Sequence, residues 1–175
     1  MSGFHVALLE PEIPAHTGHI GRTCVATGTS LHLIEPLGFI INDKTLARAG
    51  MDYWKDLSVE MYLNFADFTE RFPGKRLFYC TTKARRSYTQ VAYREGDCFL
   101  FGKESAGIPE EILSAHEERC IRIPMLEDIR SLNLSNSVAI VLYEALRQTG
   151  FAGMQWKGEL HHSTWEKELG RAAGL

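Results

Sequence analysis

RIPMLEDIRSLNLSNSVAIVLYEALRQ, residues Arg122 to Gln148, joins the end of an apolar strand, a polar loop and the most regular helix in the chain. From Val138 onward, Val141, Leu142, Ala145 and Leu146 recur at i+3, i+4, i+7 and i+8, a single helical face that has to be buried. Just before it, Ser131-Leu132-Asn133-Leu134-Ser135-Asn136-Ser137 concentrates hydroxyls and amides where a helix has unpaired N–H groups, and Ser135 or Asn136 is read as the N-cap. A cap needs one or two polar residues, whereas this loop supplies five. That surplus, beside exposed backbone groups, suits a small-molecule ligand.

Working outward, the rest of the chain alternates short apolar runs with helical patterns. Phe4–Leu9 (FHVALL), Leu31–Glu35 (LHLIE), Val59–Leu63, Arg76–Thr82 (RLFYCTT), Cys98–Phe101 (CFLF) and Cys120–Ile123 read as strands. Helices are expected through Thr23–Ala26 with Thr17 as a candidate N-cap, at Asp43–Ala49, at Phe65–Phe72 until Pro73-Gly74, at Glu110–His116 with Pro109 at N1, and at Glu166–Ala173. Alternation of this kind predicts one α/β domain, a mostly parallel sheet of about six strands flanked by helices. The domain is expected over residues 1–155, with 156–175 as a tail carrying Trp156, His161, His162 and Trp165.

Bulk properties exclude several classes. The 175 residues are 45% hydrophobic and 23% charged, ordinary values for a globular protein with a substantial core. No run approaches a membrane span, and Met1-Ser2-Gly3 leads straight into a strand, so a cytoplasmic location without membrane attachment is the expectation. Cys24, Cys80, Cys98 and Cys120 are widely spaced in apolar contexts without a CxxC pair, which predicts buried free thiols and no zinc site. His16 and His19 lack suitably spaced carboxylates or thiols around them, so no metal is expected there either. A net charge of −3 excludes a basic coat for nonspecific nucleic-acid binding. Local basic clusters remain at Lys83, Arg85 and Arg86, and at Arg22, Lys44 and Arg48, each of which also reads as a solvated face.

Two more segments offer ligand chemistry. PEIPAHTGHIGR, Pro11 to Arg22, carries the chain from a strand into a helix start, where outward N–H groups favour an anion or nucleotide. GKESAGIP, Gly102 to Pro109, follows the CFLF strand. Its two glycines are spaced as in a P-loop, but Ile108-Pro109 stands where the lysine and hydroxyl residue belong, and there is no GxGxxG. The bland reading is a turn that needs two flexible glycines. Arg76–Thr82 delivers Cys80, Thr81 and Thr82 to the edge of the sheet, where ligands of α/β folds collect. The polar, basic Lys83–Tyr93 is expected as a mobile loop near that edge.

Together, PEIPAHTGHIGR, GKESAGIP and IRIPM…SLNLSNSVAIVLYEALRQ resemble the three motifs of the SPOUT class of RNA methyltransferases, over about residues 4 to 155. Within that class the chain is most similar to the small branch that methylates the ribose 2′-hydroxyl of the tRNA wobble nucleotide (cytidine 34 or 5-carboxymethylaminomethyluridine 34). The resemblance implies a C-terminal deep trefoil knot around S-adenosyl-L-methionine, a homodimer with a shared site and the long helix at its interface, and the tRNA anticodon stem-loop as partner. It implies Arg22 as the catalytic residue. Cys80, Gly102, Ile123, Ser131, Leu132 and Asn133 fall at cofactor positions, Gly102 by letting backbone approach the cofactor, and His16, Glu104 and Tyr143 on the substrate side. The branch usually has asparagine where this chain has His16 and His19; a neutral imidazole also offers one donor and one acceptor. Alternatives within the resemblance are another tRNA position, ribosomal RNA, or a knotted RNA-binding protein without activity.

Overall fold

The computed structural model describes residues 3–41, 54–163 and 165. The helices expected at Asp43–Ala49 and Glu166–Ala173, and the cluster partners Lys44 and Arg48, lie outside the described residues. The elements run β1 (His5–Leu9), α1 (Pro14–Thr27), β2 (Ser30–Ile34), β3 (Val59–Tyr62), α2 (Phe65–Arg71), β4 (Leu77–Cys80), β5 (Cys98–Phe101), α3 (Glu110–Ser114), β6 (Cys120–Ile121) and α4 (Leu134–Gln148), with single 3₁₀ turns at Trp54–Asp56, Tyr88–Gln90 and Glu117–Arg119.

The six strands form one sheet in the order β3-β2-β1-β5-β4-β6, every neighbouring pair parallel. A parallel sheet covered on both faces requires apolar residues on both sides of each strand. Along β1 and β5, Val6, Leu8, Phe99 and Phe101 join one core, and Ala7, Leu9, Cys98 and Leu100 join the other. The first core is closed by α1 and α4 and the second by residues of α2 and α3, such as Phe68 and Leu113. The expected α/β class and six-stranded parallel sheet therefore hold.

α4 buries Leu134, Val138, Val141, Leu142, Ala145 and Leu146 against β5 and α1. Each fully buried Val or Leu of this set contributes roughly 1.5–3 kcal/mol. This corrects one expectation: the Val138, Val141, Leu142 and Leu146 face is at most 1% exposed within a single chain and cannot meet a second copy. The helix starts a full turn before Val138 because its N-cap is Asn133, not Ser135 or Asn136; the Asn133 carboxamide oxygen accepts from the backbone N–H groups of both.

Thr17 likewise does not cap α1. The helix opens at Pro14, whose missing N–H is no loss at a first helical position, and Thr17 is buried one turn in, its hydroxyl without a hydrogen-bond partner. Pro109 is the residue before α3 rather than its first. Strand ends are shorter than expected: β6 stops at Ile121, leaving Arg122 and Ile123 in the following loop. Lys83–Tyr93, expected as a mobile loop, is tied down instead. Ser87 and Gln90 form a capping box, Arg86 donates to the Gln90 carbonyl and Tyr88 N–H donates to Arg122 O.

Candidate functional site

The carboxyl ends of β1, β5, β4 and β6 lie side by side, and three connections rise above them: Glu10–Ile13 leading into α1, Gly102–Ile108 after β5, and Arg122–Asn133 between β6 and α4. The strand order changes direction between β1 and β5, the place where open α/β sheets form a crevice. Beside it, above the carboxyl ends of β5, β4 and β6, opens a cavity of about 580 Å³ that His16 reaches from the start of α1, within the size range of small-molecule sites.

Eight of the ten residues expected at a site line this cavity: His16, Cys80, Gly102, Glu104, Ile123, Ser131, Leu132 and Asn133. Its apolar wall comes from Ile108, Ile121, Ile123, Leu132, Leu134 and Val141, and its polar side from Thr81, Ser131, Asn133 and Ser137. Lys83, from the basic cluster noted in the sequence, lines it too, as do Lys103, Met125 and Arg130, which no pattern marked. Arg130 sits next to Ser131 in the sequence, but a lone arginine in a polar loop carries no pattern to mark it.

Two residues lie elsewhere. Arg22 is exposed on α1 and is not part of the cavity wall. Six positions at 100° each set it about 240° around the helix from His16, on a different face of α1. Tyr143 is 46% exposed on α4, 6.4 Å from the Phe151 ring, and lines a second hollow with Ala26, Gly28 and Trp156. The Trp156 ring meets Phe151 edge-on at 5.2 Å.

The two loops around the β1 and β5 ends grip each other through carboxylates. Glu104 Oε1 pairs with His16 Nδ1 at 2.9 Å while its Oε2 accepts the Glu12 N–H at 2.8 Å. Glu12 in turn accepts the Ser105 N–H and hydroxyl, both at 2.8 Å, which hold its carboxyl below the ordinary range. Lys103 reaches Glu10 at 2.8 Å, and that carboxylate holds the ammonium above its usual range. His16 Nε2 lies 2.8 Å from the Asn133 amide nitrogen, which brings the third loop into the same network. Glu104 is thus committed to holding loops together, with both oxygens already occupied.

The glycines have separable reasons. A Cβ on Gly102 would run into the backbone of Gly107 and Ile108, so the turn itself demands this glycine, while its backbone still borders the cavity. Gly107 adopts φ +73° with open space where a Cβ would stand, a bare backbone on the cavity wall. Burial pushes the Cys80 thiol well above its ordinary range and the nearby Cys98 and Cys120 push the same way, which disfavours the thiolate a nucleophile needs. All four cysteines are free. No group of three His, Cys, Asp or Glu side chains fit for a metal occurs among the described residues, and no helix among them is long and apolar enough to cross a membrane. The basic run is partly neutralised: Lys83 pairs with Glu110 at 2.7 Å and Arg85 with Glu117 at 3.2 Å.

Comparison with known proteins agrees with this fold. Residues 3–143 match the model of the SpoU rRNA Methylase family. A tRNA (cytidine(34)-2'-O)-methyltransferase of Aeromonas hydrophila is 49% identical over 149 residues, covering 85% of this chain and 96% of the relative. A solved structure concerned with the "2-OH methylation of C/U34 on tRNA" superposes with a TM-score of 0.81 at 42% identity, over 85% of this chain and 97% of that one. An AdoMet-bound rRNA methyltransferase of Sinorhizobium meliloti gives a TM-score of 0.73 at 28% identity, over 84% of this chain and 57% of that one.

Proposed function

Because the chain belongs to the SpoU rRNA methylase family, we propose that it is a tRNA methyltransferase that transfers a methyl group from S-adenosyl-L-methionine to the ribose 2′-hydroxyl of wobble nucleotide 34. The observation that carries the reading is convergence: the three segments that resemble family motifs, far apart in sequence, meet at one cavity above the sheet. The cavity suits this cofactor by its mixed wall, with Ile121, Ile123, Leu132 and Leu134 for an apolar ring system, Ser131 and Asn133 for polar groups, and the bare backbone of Gly107. When bound, the cofactor supplies a methyl group already activated by its positive sulfur.

The protein's own tasks are alignment and charge. Cys80, Gly102, Ile123, Ser131, Leu132 and Asn133 hold the donor, chiefly through backbone at the strand ends and loops. His16 and Glu104 keep the loops around it in register. Arg22 carries the acceptor side. A guanidinium remains protonated, so its role is to grip a phosphate beside the reactive ribose and favour negative charge on the 2′-oxygen. Arg22 does not line the cavity of its own chain, which supports a homodimer in which Arg22 of a second copy completes each site. Tyr143 and the exposed side of α4 belong to that dimer and substrate surface. The Arg122–Asn133 segment forms the cover of a trefoil knot through which α4 is threaded, and the substrate places the enzyme in the cytoplasm.

Alkaline cleavage of RNA requires a free 2′-oxygen, which gives a direct test. Incubation of unmodified tRNA with protein and S-adenosyl-L-methionine should leave one alkali-resistant bond, 3′ to nucleotide 34. Label on a base, or a resistant bond outside the anticodon loop, would refute the assignment.

A further inference from the structure

Asn133 Oδ1 stands 2.9 Å from the Ser135 backbone nitrogen and 3.3 Å from that of Asn136. Both backbone groups are obligate donors, so the atom facing them is oxygen and the amide nitrogen points the other way, toward His16. That nitrogen, only a donor itself, lies 2.8 Å from His16 Nε2. Nε2 therefore carries a lone pair, and the one proton of the neutral ring sits on Nδ1, where it donates to Glu104 Oε1 at 2.9 Å. The direction of the chain is set at both ends, by a helix cap and by a carboxylate.

We propose that His16 is a proton-dependent positioning residue: neutral and protonated at Nδ1, it ties the Asn133 loop to the Gly102 turn and holds the cofactor cavity in its binding shape, and a proton on Nε2 undoes that tie. The inference rests on the methyl-transfer reading for the identity of the ligand, while the tautomer follows from the geometry alone. A proton on Nε2 would set N–H against N–H across 2.8 Å. Relief requires either withdrawal of the ring or rotation of the amide, and rotation turns amide hydrogens onto the first N–H groups of α4, which removes the cap.

Several charged groups face His16 from the surrounding elements. Glu104 comes from the turn after β5 and Glu12 from the β1–α1 loop through its N–H on Glu104, while Arg130, from the loop before α4, lines the same cavity. Lys83 and Lys103 line the same cavity but are paired with Glu110 and Glu10. An asparagine at position 16 would offer a carbonyl to Asn133 and an amide to Glu104 at every pH, so His16→Asn keeps the tie and discards its proton dependence.

Nitrogen-resolved imidazole NMR of the ligand-free protein at about pH 8 should show His16 protonated at Nδ1 and bare at Nε2; a protonated Nε2 overturns the proposal. Calorimetric titration with S-adenosylhomocysteine, at pH values where the same spectra show Nε2 bare and protonated, should then give a Kd about tenfold higher in the protonated state, the size expected for one lost capping tie. His16→Asn, or His16→Gln should the first variant fold poorly, should bind within about twofold of the parent at the higher pH and change no more than that across the range. A flat profile in the parent, or the same slope in the variants, overturns the tie. Failure of S-adenosylhomocysteine to bind at any pH overturns the methyl-transfer reading instead, and the NMR tautomer still decides the geometry.

Discussion

His16 Nε2 and the Asn133 amide nitrogen lie 2.8 Å apart although 117 residues separate them in the chain. The same asparagine caps α4, so a single side chain links the start of that helix to the first turn of α1. Two substitutions separate its roles. Asn133→Ala should lower unfolding stability by about 1 kcal/mol through loss of the cap, and weaken S-adenosylhomocysteine binding as well. Asn133→Asp should retain the cap, and with it the urea midpoint, because a carboxylate oxygen accepts from the same two N–H groups. Equal stability loss in both variants would show that the Asn133 carbonyl does not act as the cap.

Gly102 and Gly107 should respond differently to alanine. The Gly102→Ala methyl group has no space against the Gly107–Ile108 backbone, so the turn must shift, and both the unfolding midpoint and cofactor affinity should drop together. Gly107→Ala meets open space and faces only the cost of a left-handed φ of +73°, about 1 kcal/mol. Denaturant unfolding combined with calorimetry on both variants reads the contrast. A Gly102→Ala protein as stable as the parent would contradict the close approach.

Stability should fall on mild acidification because of a second histidine network, remote from the cavity at the other end of β1. Tyr62 donates to Glu60 at 2.8 Å, His32 Nδ1 pairs with the Tyr62 hydroxyl at 2.9 Å, and His5 Nδ1 pairs with His32 Nε2 at 3.0 Å. Burial, reinforced by His5, lowers the His32 pKa from 6.5 to about 4, and burial lowers that of His5 too. The unfolded chain therefore takes up protons below about pH 6.5 while the folded chain does not. Stability is full above that pH, declines as pH falls toward about 4, and levels off below. Urea unfolding at about pH 5 should give roughly 2 kcal/mol less than at about pH 7.5 from His32 alone, with His5 adding in the same direction. An unchanged midpoint would contradict a neutral His32.

Arg22→Ala should reduce methyl transfer severely while cofactor affinity changes little, because Arg22 is outside the cavity wall. If each site draws Arg22 from the other copy, mixing Arg22→Ala with Asn133→Ala chains should restore activity. Random pairing makes half the dimers mixed, each with one intact site, so recovery should approach about a quarter of the parent rate. No recovery after subunit exchange, with both variants folded, would place Arg22 and Asn133 of the same chain in one site.

The sequence alone determined what depends on local pattern. The alternation of apolar runs with helical periods is enough for a parallel α/β sheet, since β1 and β5 must be apolar on both faces to be covered on both. The Val138 to Leu146 spacing specified a buried helix, and GKESAGIP marked a turn that only glycines allow. Motif resemblance selected eight of the residues that line the cavity. What periodicity left open was which partner each polar group takes. Thr17 looks like a cap until Pro14 starts the helix a turn earlier, and Ser135 and Asn136 look like caps until Asn133 takes the place. Glu104 reads as a substrate contact, yet both its oxygens are occupied by His16 and Glu12. The apolar face of α4 fits a partner as well as it fits β5, and only the packed sheet settles which one covers it. Hydrogen bonds and burial between residues a hundred positions apart depend on how the strand ends are brought together, and that arrangement has no signature in the local order of residue types.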